Sequence, residues 1–165
     1  MSSSDRRRLI LSLAALPLVA ACGFRPVYGT GGPGAALRGR VRIDDPVTRY
    51  GFELVSRLEE RLGRGEAASY RLGYVIRVTR EGIAITGSND ITRIRVTGEA
   101  DYALTELSSG VQRLAGRVTT FTAYSTTGST LATDAAARDA EDRLMVLLAD
   151  RIADELISGA ARFAS

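Results

Sequence analysis

Residues 70–104 read YRLGYVIRVTREGIAITGSNDITRIRVTGEADYAL, and the alternation within them decides the fold. Tyr70, Leu72, Tyr74, Ile76 and Val78 stand on even positions, while Arg71, Arg77 and Thr79 fall between them. A period of two with aromatic and branched residues on one side is the signature of a half-buried strand. The second half repeats it, with Ile94, Val96, Ala100, Tyr102 and Leu104 on one face and Arg93, Arg95, Thr97, Glu99 and Asp101 on the other. Between them, TGSND at 86–90 carries turn residues, so the two runs are predicted to pair as an antiparallel hairpin.

Working outward, Ser108, Ser109 and Gly110 form the next turn, and residues 111–124 are predicted as another strand containing Val118, Phe121 and Tyr124. After a polar run at 125–130, Leu144, Leu148, Ile152 and Leu156 recur every fourth residue, marking a long helix over 134–162 capped near Thr133 or Asp134. Upstream, RVRID at 40–44 suits a short strand, and Asp45-Pro46 supplies a cap and a first-turn proline. Phe52, Val55, Leu58 and Leu62 then follow at helical spacing up to Gly63, a C-cap. The order is β-α-β-β-β-α. It predicts an α+β two-layer sandwich, a four-stranded mixed sheet with both helices on one face, burying Val41, Ile43, Leu72, Ile76, Ile94 and Val96. The other face, rich in Arg, Thr and acids, is left without a cover.

The N-terminus reads as a processing signal. Arg6, Arg7 and Arg8 precede an apolar stretch of 13 residues, LILSLAALPLVAA at 9–21, which stops at Cys22. As a helix it would span only about 20 Å, short of a hydrocarbon core of about 30 Å. Val19-Ala20-Ala21-Cys22 resembles the lipobox of bacterial lipoproteins, which implies cleavage before Cys22 and its acylation; Gly23 after the cysteine implies sorting to the outer membrane. The expected organisation is a signal peptide at 1–21, an acylated Cys22 with a Gly/Pro-rich flexible tether at 22–38, and a single domain at 39–165. The glycine run at 29–34 is interrupted by Pro33 and lacks the flanking strand and helix of a phosphate loop.

Composition removes most chemistries. All 22 basic residues among the 165 are arginine, there is no histidine, and Cys22 is the one cysteine. Histidine-based triads, His or Cys metal sites, Schiff-base lysines and P-loop lysines are therefore excluded. No cofactor or metal site is expected. The formal charge of +3 also misleads, because losing residues 1–21 leaves 19 arginines against 18 acidic residues. Nucleic-acid binding thereby loses its electrostatic basis.

The start Cys22-Gly23-Phe24-Arg25-Pro26-Val27-Tyr28-Gly29, with a mature chain at 22–165 and this order of elements, resembles the alphaproteobacterial version of the LPS-assembly lipoprotein family. That family supplies the lipoprotein subunit of the outer-membrane lipopolysaccharide translocon. The resemblance implies no enzymatic activity, a domain that assists assembly of a β-barrel partner and plugs it, and an involvement in lipopolysaccharide binding. It transfers no individual ligand contact. Chemistry and position nominate Arg93 and Arg95 on the uncovered face, with Arg77 and Arg80 from the neighbouring strand, because guanidinium groups bind phosphate with two parallel hydrogen bonds. A competing reading pairs Arg77 across the strands with Glu99 or Asp101.

Two other classes are open at this level. One is a lipoprotein with a different transport-accessory or scaffolding role. The other is an envelope glycan hydrolase using Glu99 and Asp101 as its carboxylate pair.

Overall fold

The computed structural model describes residues 33–85, 91–126 and 128–163; Cys22 and the hairpin turn expected at 86–90 lie outside them. The elements are α1 (Pro33–Leu37), β1 (Val41–Ile43), α2 (Arg49–Leu62), β2 (Tyr70–Ile85), β3 (Ile91–Glu106), β4 (Gln112–Ser125) and α3 (Thr130–Ala160). The four strands form one sheet in the order β1-β2-β3-β4. β1 runs parallel to β2 because α2 crosses over between them, whereas β2, β3 and β4 alternate as antiparallel neighbours. This is the mixed sheet and element order expected from the alternation, with both long helices over one face.

The even-numbered residues of β2 and β3 do face the helices. Leu72, Val96, Ala100 and Leu104 are fully buried, and Val41 nearly so; Ile43, Ile76 and Ile94 are half-buried against the same core. From α3, Leu144, Leu148, Ile152 and Leu156 are fully enclosed. A second stripe of Met145, Ala149, Ala153 and Ile157 is buried beside them, since this helix packs against both the sheet and α2. Each large apolar side chain so buried contributes about 1.5–3 kcal/mol. Gly98 brings α3 close to the sheet: a Cβ there would lie 2.9 Å from Leu148 Cδ1 and 3.0 Å from Leu144 Cδ2.

α2 and α3 run parallel and in a fixed register. Arg49 pairs with Asp142 at 2.6 Å, Arg57 with Asp150 at 2.9 Å and Arg61 with Asp154 at 2.6 Å, each pair 93 positions apart. Pairs this exposed contribute about 0–1 kcal/mol apiece. They set the alignment of the helices while the leucines supply the stability.

Three local expectations need correction. α2 is capped by Thr48, whose side chain accepts from the Gly51 amide at 3.1 Å, not by Asp45. Its buried stripe is Gly51, Leu54, Leu58 and Leu62, leaving Phe52 61% exposed. Both stripes have helical spacing; the one chosen lets Arg57 and Arg61 reach α3. Second, α3 starts at Thr130, with Ser129 accepting from the Ala132 amide at 3.3 Å, earlier than expected. Third, the tether assigned to 22–38 does not extend through Pro33–Leu37, which is helical and puts Leu37 into the core. Proline at a first helical position and two alanines explain the turn of helix.

Candidate functional site: the uncovered sheet face

Opposite the helices, the odd-numbered residues of three long strands form a polar surface. Register sets its rows: Arg77, Glu99 and Thr119 lie side by side, as do Val75, Asp101 and Arg117, then Thr79, Thr97 and Phe121, then Glu81, Arg95 and Ala123. Arg93 stands at the far end beside Ser125.

The four arginines nominated from sequence separate into three situations. Arg77 donates to Asp101 at 2.5 Å, and Arg117 donates to the other oxygen of the same carboxylate at 2.5 Å. The hydrogen bond from Arg117, then that from Arg77, holds the Asp101 carboxyl down at about 2. Arg80 is not on this face at all. It stands opposite Val96, on the helix side, and donates to the buried Glu141 of α3 and, at 2.9 Å, to Tyr50 of α2. Strict alternation explains it, because residues 77 and 80 differ by an odd number and must point to opposite faces.

Arg93 and Arg95 remain. Neither makes an ion pair among the described residues, and both are exposed. The Arg95 guanidinium carbon lies 5.1 Å from the centre of the Phe121 ring, a cation–π arrangement, and Phe121 is itself 61% exposed. Phe121 was visible in the sequence only as a residue of an imprecisely phased strand. Its place beside Arg95 depends on the β3–β4 register, which composition does not reveal.

Asp101 cannot serve as a proton-donating carboxyl, since two guanidinium groups keep it ionised. Glu99 lies in register between Arg77 and Thr119 on the polar face. Metal chemistry finds no cluster of three or more ligating side chains among the described residues.

The model of the lipopolysaccharide-assembly family LptE matches residues 39–156, from just before β1 into the last turns of α3. The chain belongs to the LptE family. No curated protein sequence matches it. Among solved structures, a chain described as a lipoprotein from Caulobacter crescentus CB15 superposes with a TM-score of 0.66 at 21% identity, over 81% of this chain and 98% of that one. Rare lipoprotein B from Shewanella oneidensis gives 0.60 at 12% identity, over 76% and 98%. Lipoprotein B from Nitrosomonas europaea gives 0.52 at 12% identity, over 75% and 88%. At these identities the likeness is one of fold. LptE is a lipopolysaccharide-assembly family and not an enzyme family. Among the described residues no helix of this LptE protein is long and apolar enough to cross a membrane.

Proposed function

We propose that this LptE protein is held at the outer membrane by an acylated Cys22, assists assembly of a β-barrel partner, and occupies that barrel with its uncovered sheet face towards the wall. The signal at 1–21 is removed, and the eleven residues from Cys22 to Gly32 reach at most about 40 Å, enough to let the domain leave the bilayer surface. A barrel interior is polar and wet, so a plug needs charges and hydroxyls of the kind carried by Arg95, Thr97, Glu99 and Thr119.

One observation carries the ligand part of the reading: Arg93 and Arg95 make no ion pair among the described residues, and Arg95 stands over the exposed Phe121 ring. That combination suits a molecule with phosphates and acyl chains. Arg93 and Arg95 take the phosphates, and Phe121 meets the apolar portion. Arg77 and Arg80 are committed to Asp101 and Glu141. Depleting the protein from its native cell tests the reading. It should lower both the amount of correctly assembled barrel and the lipopolysaccharide at the cell surface; unchanged levels of both would overturn it.

A further inference from the structure

The segment from Cys22 joins the domain at Pro33, and several elements meet around that point. The Gly39 amide donates to the Leu62 carbonyl at 2.8 Å, the Ser69 amide to the Arg40 carbonyl at 2.8 Å, and the Leu107 amide to the Ser69 carbonyl at 2.9 Å. The Phe163 ring stands edge-on to Tyr70, with centroids 5.6 Å apart. The ends of α2 and α3, the start of β2 and the β3–β4 turn thus form one end of the molecule with the chain entry. The other ends of β2 and β3, paired at Ile85 and Ile91, lie about 50 Å of strand away.

The chain-entry end is strongly basic. Residues 33–41, 62–70, 105–113 and 157–163 hold five arginines against two acidic residues, although the chain from Cys22 onwards is nearly balanced at 19 against 18. Glu106 is held by Arg113 at 2.7 Å, and Arg64 lies 3.4 Å from Glu59. That leaves Arg38, Arg40 and Arg162, all exposed and without an ion pair among the described residues, against Glu66. A cation at a helix C-terminus complements the helix dipole, which accounts for Arg162. It does not account for Arg40, which belongs to no helix, or for Arg38, which follows only the five residues of α1. Beside these charges the β3–β4 turn presents Leu107 and Val111, 40% and 48% exposed. A groove of about 500 Å³, lined in part by Arg40, Ser69, Tyr70, Leu107 and Ser108, runs between Arg40 and the turn.

We propose that the chain-entry end is a membrane-contact surface for anionic phospholipids: Arg38, Arg40 and Arg162 take headgroup phosphates while Leu107 and Val111 enter the headgroup boundary. Guanidinium groups match phosphate oxygens with paired hydrogen bonds, and apolar side chains beside a basic cluster add burial to the attraction. The proposal rests on the anchor assigned to Cys22, because an anchor eleven residues from Pro33 keeps this end nearest to a lipid surface. It describes the anchored chain before a barrel is occupied. The contact would hold the domain by one end against the leaflet and present the β2–β3 ends away from it.

The test uses the full acylated chain, its anchor verified by mass spectrometry, reconstituted in vesicles. An environment-sensitive fluorophore is attached at Leu107→Cys, the anchor blocking the thiol of Cys22, and in a second sample at Leu131→Cys, 80% exposed at the other end of α3. When phosphatidylglycerol is added to phosphatidylcholine vesicles, emission from the Leu107 probe should rise several-fold and shift to the blue, and the Leu131 probe should not respond. Raised salt should reverse the change. Arg38→Gln with Arg40→Gln and Arg162→Gln should abolish it while the circular dichroism spectrum stays that of the parent. An acylated, vesicle-bound chain whose Leu107 probe stays in water would overturn this proposal and leave the anchor standing; a chain recovered without acylation would overturn the anchor as well. An equal response from Leu131→Cys, or an undiminished one in the triple variant, would also overturn the proposal. If the triple variant lost stability but kept the response, the arginines would serve the helix ends and not the lipid.

Discussion

Asp101 is bridged by Arg77, yet the residue in register with Arg77 is Glu99. The carboxylate sits one row away, where it can also receive Arg117 from β4, so a single acid on the central strand ties all three long strands together across the uncovered face. Its carboxyl is held at about 2, below the ordinary range. A carboxyl lowered on folding stabilises the fold fully above its unfolded value, and that contribution disappears as the pH falls towards about 2. Asp101→Asn should therefore lower the melting temperature at neutral pH, and the difference from wild type should shrink steadily from about pH 4 downwards. A gap independent of pH would show that the effect is one of packing.

Gly98 leaves room for Leu148 of α3 to lie against the sheet. Gly98→Val forces the leucines aside and should cost about 1–3 kcal/mol, while Leu148→Ala opens a cavity and should cost about 2–5 kcal/mol. Leu148→Asp should prevent folding; Ile76→Asp should cost less, because Ile76 is half-buried. Chemical denaturation of the four variants gives the order directly. Equal costs for Ile76→Asp and Leu148→Asp would mean that the core does not centre on α3.

Arg93→Glu with Arg95→Glu should leave the melting temperature within about 0.5 kcal/mol equivalents of wild type, since these side chains are exposed. Lipopolysaccharide binding by the same variant should fall, and binding by the wild type should weaken as salt is raised. Phe121→Ala should reduce binding with a smaller salt dependence, because its contribution is apolar. Arg80→Glu should behave in the opposite way, destabilising the domain through the buried Glu141.

Cys22→Ala should block lipoprotein maturation, giving an uncleaved chain or one released from membranes. Mass spectrometry of the membrane fraction reads this outcome; an acylated, normally processed variant would contradict the assignment of Cys22.

The strands were legible because burial on one face imposes a period of two, and Leu72, Val96 and Leu104 leave little choice of phase. α2 was legible as a helix but not in rotation, since Phe52, Leu54 and Val55 offer two stripes of similar spacing and only contact with α3 selects between them. The same limit applied to the site. Alternation placed Arg93 and Arg95 on the uncovered face, and it should also have separated Arg77 from Arg80, three residues apart on one strand. Which acid Arg77 would choose, and that Phe121 would lie under Arg95, depended on the register of strands joined by turns, information carried by tertiary pairing.

The most direct test of the plug role is a photo-activated cross-linker placed at Thr97, in the middle of the uncovered face, in cells making the protein at its native level. Cross-linking in intact membranes should yield an adduct with an outer-membrane β-barrel, and the same probe at the exposed Phe52 on the helical side should yield far less. Absence of any β-barrel adduct from Thr97, with the protein correctly anchored, would contradict the account.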